Sequence, residues 1–236
     1  LPMIATFVNC ATVIVGSLIG LLLHRKINDS FKHVVYVGAG MISLILGIRM
    51  GLKTTQIVFM ALALILGGIL GEWWNVEGGI LGFGEFLKKR FAKQESEKDF
   101  AGGFLNASVI FCVGAMTLVG AFQAGADGNY ELILTKSVMD GFMAIMLTAA
   151  MGIGVAFSAI TILVYQGGIT LLAEVLQPLV NELLMDELTA VGGVLVIMIG
   201  LNLLGISKLK TANYIPALLI TIGLVALEPL LPFSLG

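Results

Sequence analysis

Eight apolar runs divide this sequence, at about 3–23, 34–52, 55–73, 103–122, 132–151, 154–175, 188–206 and 212–233. Each is close to the roughly 20 residues that a helix needs to cross a bilayer core of about 30 Å. The rest of the composition agrees, with 58% hydrophobic residues and only 12% charged. A globular domain carries about 25% charged residues. Mean hydropathy of +1.03 also excludes a soluble fold. The sequence therefore predicts an all-α, polytopic transmembrane helix bundle of about 8 spans, forming a single membrane domain over 1–236. The turn around Gly152 and Gly154 leaves two arrangements open for 132–175, a pair that crosses fully or a re-entrant hairpin.

Sidedness follows from where Lys and Arg fall, because short basic loops stay on the cytoplasmic side. If the first run starts outside, ten of the 13 bases lie in inner loops: Arg25, Lys26, Lys32, Lys88, Lys89, Arg90, Lys93, Lys98, Lys208 and Lys210. Both termini are then expected outside. The first run has its charges after it, at His24, Arg25 and Lys26, so it reads as a mature span and not as a signal peptide. Between the third and fourth runs, 76–99 reads as a short amphipathic interfacial helix at about 79–92 followed by a charged cytoplasmic linker. Leu176 to Glu187, with Glu182 and Asp186, is expected on the opposite surface. Cys10 and Cys112 sit inside apolar runs, which argues against a structural disulfide.

The chain also repeats itself. GAGMISLILGIRMG at 38–51 aligns with GGVLVIMIGLNLLG at 192–205, matching Gly40 to Gly193, Gly47 to Gly200 and Arg49 to Asn202. Thr54-Thr55-Gln56-Ile57 matches Thr211-Ala212-Asn213-Tyr214, and FVNCATVIVG from Phe7 matches FLNASVIFCV from Phe104, setting Asn9 opposite Asn106. The first, second and third spans thus correspond to the fourth, seventh and eighth. With eight spans, every matched pair runs in opposite directions. This is an inverted-topology repeat of three helices per half, 1–75 against 100–236, with an inserted helix pair at about 132–175.

Ionisable and polar residues inside apolar runs are the candidates for function, because their burial in lipid is costly. Asp140 lies inside the fifth span with Lys136 one helical turn earlier. It serves either a local ion pair near the headgroups or a cation or proton site. Arg49 either snorkels to the interface or meets an anionic substrate. Asn9 and Asn106, paired by the repeat, and Asn202 are helix staples or ligand contacts. Gln166 stands before Gly167 and Gly168, which mark either a helix break exposing backbone carbonyls or a close packing face.

Enzyme chemistry finds no support. His24 and His33 are the only histidines, neither cysteine has a neighbouring histidine, and H-E-x-x-H, G-x-S-x-G and P-loop patterns are absent. No cofactor or resident metal is expected. The basic run KKRFAK suits the inner membrane surface better than nucleic acid.

The ordered motifs ATFVN, FCVGAMTLVGAF, KSVMDG, FSAITILVYQGGITLLA and GGVLVIMIGLNLLGI give the chain its resemblance to a bacterial membrane family. The sequence resembles domain of unknown function 554, the YdfK/YqgA-like proteins, over essentially its whole length, with Ala5 where Gly is expected. The resemblance implies a bacterial cytoplasmic (inner) membrane protein, read as a transporter without an established substrate. The expectation is a secondary transporter or channel for a small solute or ion, with a proton or sodium gradient as the energy source if transport is coupled. The alternative is a non-transporting membrane scaffold or lipid-interacting protein. Membrane lipid is the surrounding partner in either case, and the many small residues offer packing faces suited to a homodimer.

Overall fold

The computed structural model describes residues 2–24, 29–91, 100–112, 115–176 and 181–228, and among them ten α-helices and no strand. The expected linker at 92–99, with Lys93 and Lys98, and the bases Arg25 and Lys26 lie outside the described residues. In chain order the helices are α1 (Ile4–His24), α2 (Asp29–Gly51), α3 (Ile57–Trp74), α4 (Val76–Phe91), α5 (Phe100–Cys112), α6 (Ala115–Ala126), α7 (Glu131–Met151), α8 (Ser158–Leu176), α9 (Glu182–Leu203) and α10 (Pro216–Leu227). Short 3-10 turns at Ile153–Phe157 and Thr211–Tyr214 lead into α8 and α10.

Five segments are apolar and long enough to cross a bilayer: Ile4–Leu23, Ile57–Trp74, Glu131–Met151, Ile153–Ala173 and Glu182–Leu203. Tyr36–Gly51, Phe100–Cys112 and Thr211–Leu227 are apolar but shorter. The chain is thus a helical membrane protein, and within the expected fourth span at 103–122 the described residues are helical in α5 and α6, while 113 and 114 lie outside the described residues. The Thr117 hydroxyl donates to the Phe111 carbonyl at 2.9 Å.

Packing contacts fix the helix directions. Ala5 meets Ile133, Gly16 meets Gly141 and Gly20 meets Ile145, so α1 and α7 run parallel. Met3 meets Gly167 while Cys10 meets Ala159, so α8 runs against α1. Gly40 against Gly200 and Gly47 against Gly193 make α2 and α9 antiparallel, and Gly67 against Ala217 with Gly71 against Asn213 does the same for α3 and α10. The starts of α1, α3, α7 and α9 and the end of α2 consequently share one face, here the terminal face, because α10 also ends there.

Small residues permit these approaches. A Cβ on Gly47 would stand 2.7 Å from the Gly193 carbonyl oxygen, and one on Gly193 would stand 2.6 Å from the Gly47 carbonyl oxygen. Without a hydrophobic drive between helices in lipid, such close packing supplies much of the association. Ala5, where glycine is expected, is fully buried against Ala121 and Ile133. Phe111, Leu147, Ile162, Leu195 and Ile199 fill the centre of the bundle, all fully buried.

The turn from α7 to α8 depends on Gly152, with φ 85 and ψ −167, a conformation that a Cβ would strain. The helix break expected at Gly167 and Gly168 does not occur, since α8 is continuous from Ser158 to Leu176. Gly167 is instead a packing position, where a Cβ would lie 2.7 Å from Met3 Cε.

Candidate functional site

Lys136 and Asp140 are the charged centre of the bundle. They stand one turn apart on α7, 5% and 8% exposed, and form an ion pair. Two charges taken from water need more than each other, and the neighbouring helices supply polar groups. Asn9 on α1, fully buried, neighbours the Asp140 carboxyl and donates through Nδ2 to Gln166 Oε1 at 2.9 Å. Gln166, also fully buried on α8, donates through Nε2 to Thr6 Oγ1 at 3.0 Å. The result is a chain of side chains across α7, α1 and α8. Asn9 Oδ1 is buried and has no hydrogen-bond partner among the described residues.

A cavity of about 470 Å³ reaches this pair from between α2, α5, α7 and α9. Its lining includes Ser43, Arg49 and Lys53 from α2 and the turn after it, Lys136 and Asp140 from α7, and Thr189 from α9. The Phe111 ring lies below Lys136, with its centroid 6.0 Å from Nζ, a face that favours a cation. Volume and lining suit a small solute held by a few polar groups within apolar walls.

The other sequence candidates are elsewhere. Asn106 is half-buried, with its amide 4.0 Å from Met151 Sδ, about eleven residues beyond Asp140 on α7. Asn202, the repeat partner of Arg49, staples the loop after α9. It donates to the Leu209 carbonyl at 2.8 Å and accepts from Leu209 N–H at 2.8 Å and from the Ser207 hydroxyl at 3.0 Å. The structure therefore gathers Asn9, Asp140 and Gln166, places Arg49 on the adjoining cavity, and separates Asn106 and Asn202 from them.

The model of the family described as "Protein of unknown function (DUF554)" matches residues 4–226. The chain belongs to this family. It is 32% identical over 222 residues to "Uncharacterized membrane protein YdfK" of Bacillus subtilis (strain 168), covering 92% of this chain and 93% of that protein. It is 28% identical over 226 residues to "Uncharacterized protein YqgA" of Escherichia coli (strain K12), covering 94% and 96%. No solved structure matches it.

In this DUF554 protein the sequence reading overlooked two carboxylates that tie segments distant in the chain together. Glu187, expected at the surface, is fully buried on α9. Its carboxylate accepts from Thr54 Oγ1 at 2.7 Å, Thr55 N–H at 2.7 Å, Thr55 Oγ1 at 3.3 Å and Gln56 N–H at 2.8 Å. It thus satisfies the open amides at the start of α3 and faces the positive end of that helix. Glu77 on α4 does the converse, accepting from Ala212 N–H at 3.1 Å before α10, while its own N–H donates to Asn213 Oδ1 at 2.7 Å. Burial pushes the Glu77 carboxyl above the usual carboxylate range, and the Ala212 bond opposes that shift. A signal for Glu187 was present, because it falls among Leu184, Leu188, Val191 and Leu195, the buried stripe of α9.

Proposed function

We propose that this protein is a secondary transporter or channel that moves a small solute or ion across the bacterial inner membrane, through a path between two inverted halves. The observation that carries the reading is the buried Lys136–Asp140 pair at the floor of a cavity among apolar helices. An ion pair that only staples helices needs no cavity beside it, and intramembrane charges generally mark solute or proton paths.

The contacts between the halves support the inverted repeat. The repeat equates Gly40 with Gly193 and Gly47 with Gly200, and exchanging the halves converts the Gly40–Gly200 contact into the Gly193–Gly47 contact. It also equates Thr55 with Ala212, two residues whose N–H groups donate to the carboxylates of Glu187 and Glu77. On the face opposite the termini lie Lys88, Lys89, Arg90, Lys208 and Lys210, which favours that face as cytoplasmic and the cavity as outward-opening. Coupling to a proton or sodium gradient and assembly as a homodimer are further parts of this proposal.

A second reading, lipid interaction without transport, draws on a different cavity. It has a volume of about 740 Å³, lies between α4, α5, α8 and α10, and is lined mostly by apolar groups such as Phe104, Leu105, Tyr165 and Leu172, a surface suited to acyl chains.

The discriminating experiment is uptake into proteoliposomes for a panel of cations, anions and amino acids, comparing wild type with the double replacement Lys136→Gln/Asp140→Asn. Loss of an uptake signal in a variant with native thermal stability supports transport through the pair. Equal uptake by both proteins removes the pair from the path, and a flat panel with copurified lipid favours the second reading.

A further inference from the structure

Ten of the 13 Lys and Arg residues are expected in inner loops, which leaves Arg49, Lys53 and Lys136. These three meet at one cavity. Asp140 is the one carboxylate among the residues that line it, so three cations face one anion and the lining carries a formal charge of +2. Glu187 on α9 is not among the lining residues, and its carboxylate is held by four hydrogen bonds at the start of α3. Arg49 and Lys53 have no side-chain hydrogen bond or ion pair among the described residues. Cations lining one low-dielectric cleft focus a positive potential that draws in counter-ions.

We propose that this cavity is an anion-binding site, taking a small free anion with a carboxylate or phosphate group between Arg49 and Lys53 at the mouth and Lys136 at the floor. The Arg49 guanidinium is a planar fork that matches either group. The Ser43 hydroxyl on the same wall is an additional donor. Lys136 is already paired with Asp140, so an anion reaching the floor shares its ammonium, whose three N–H donors can serve more than one acceptor, and neither buried charge is left without its partner. The assignment deepens the transport reading by naming a substrate class, and only as a step in transport does it rest on that reading.

The test reads the sign of the cavity's potential directly. In a background with Cys10→Ala and Cys112→Ala, cysteine is introduced as Met139→Cys or Met50→Cys, two positions that line the cavity. The protein is placed in phosphatidylcholine nanodiscs. It is labelled with an anionic reagent, 2-sulfonatoethyl methanethiosulfonate, or a cationic one, 2-(trimethylammonio)ethyl methanethiosulfonate, each rate being divided by that of a free thiol in solution. One unit charge at about 10 Å with an effective dielectric constant near 20 to 25 speeds the anionic reagent and slows the cationic one by about tenfold each, so the anionic reagent should be favoured on the order of a hundredfold. Arg49→Gln and Lys53→Gln should each reduce the preference, and sodium phosphate or sodium acetate at constant ionic strength should slow labelling.

No preference, a preference for the cationic reagent, or thiols that neither reagent reaches would each overturn the assignment. Protection that appears only when phosphatidylglycerol is added to the nanodiscs, and never with phosphate or acetate, identifies a lipid headgroup as occupant and overturns the free-anion assignment. An anionic preference with phosphate protection but no anion uptake in proteoliposomes keeps the binding site and removes the transport reading. Uptake of a cation with a reversed preference does the opposite.

Discussion

Replacing Asp140 by Asn should destabilise the protein far more than replacing the pair together. Lys136 is 5% exposed and Asp140 8% exposed, so the single change leaves a buried ammonium without its counter-charge. Breaking a buried pair from one side costs about 3–5 kcal/mol, whereas replacing both partners by apolar groups of similar volume is often neutral or stabilising. The Asn9 amide beside the carboxyl does not rescue Asp140→Asn, because neither amide carries a negative charge for Lys136. The expected pattern is a loss of about 3–5 kcal/mol for Asp140→Asn, a similar loss for Lys136→Met, and a change within about 1 kcal/mol for Lys136→Met/Asp140→Leu. Reversible denaturation by sodium dodecyl sulfate in mixed micelles gives all three on one scale. Additive losses in the double variant, or a single variant within about 0.5 kcal/mol of wild type, would refute a coupled buried pair.

Three further outcomes probe the packing that surrounds the pair. Glu187→Ala should cost about 1–3 kcal/mol, because it strips acceptors from the Thr55 and Gln56 amides at the start of α3, and amide exchange at 54–57 should rise with it. Gly47→Val should cost about 1–3 kcal/mol or more in the same denaturation assay, since even a Cβ there lies 2.6 Å from Ile197 Cγ1. Gly168→Ala should instead be neutral or stabilising by up to about 1 kcal/mol, because a Cβ at that position meets nothing within 4 Å and α8 is continuous there. A large loss in Gly168→Ala would restore the helix break that the sequence suggested.

The sequence disclosed what depends on local pattern. Runs of apolar residues located the bundle, the i,i+4 spacing located Lys136 with Asp140, and polar residues within apolar runs pointed to Asn9 and Gln166. What it concealed depends on which helices meet. Gly167-Gly168 looks like a break in one dimension, but Met3 from α1 packs on Gly167 and turns it into a contact. Glu187 was grouped with Glu182 and Asp186 by charge, although its place in the stripe of Leu184, Leu188 and Val191 fixed its burial. Arg49, Lys53 and Lys136 are scattered along the chain and form one charged cavity only after α2 and α7 are set side by side.

The exchange of Arg49 for Asn202 between the proposed halves leads to a last prediction. At the terminal face Arg49 borders a cavity with no side-chain partner among the described residues, whereas at the opposite face Asn202 is engaged by Ser207, Leu209 and, at 3.5 Å, Thr211 Oγ1. One half therefore leaves its polar position available to a ligand, and the other uses it to close a loop over its own helix end. If the halves alternate, that loop is part of what holds the opposite face shut. Asn202→Ala removes an acceptor from the Leu209 N–H and a donor from its carbonyl, at a cost of about 1–3 kcal/mol to the conformation that uses them. Amide exchange at 207–211 should rise, and labelling of Met139→Cys from the terminal face should slow as the population moves away from the outward-opening state. Faster exchange in the loop with unchanged labelling at the cavity would show that Asn202 only anchors its loop, and that the two faces are not exchanged through it.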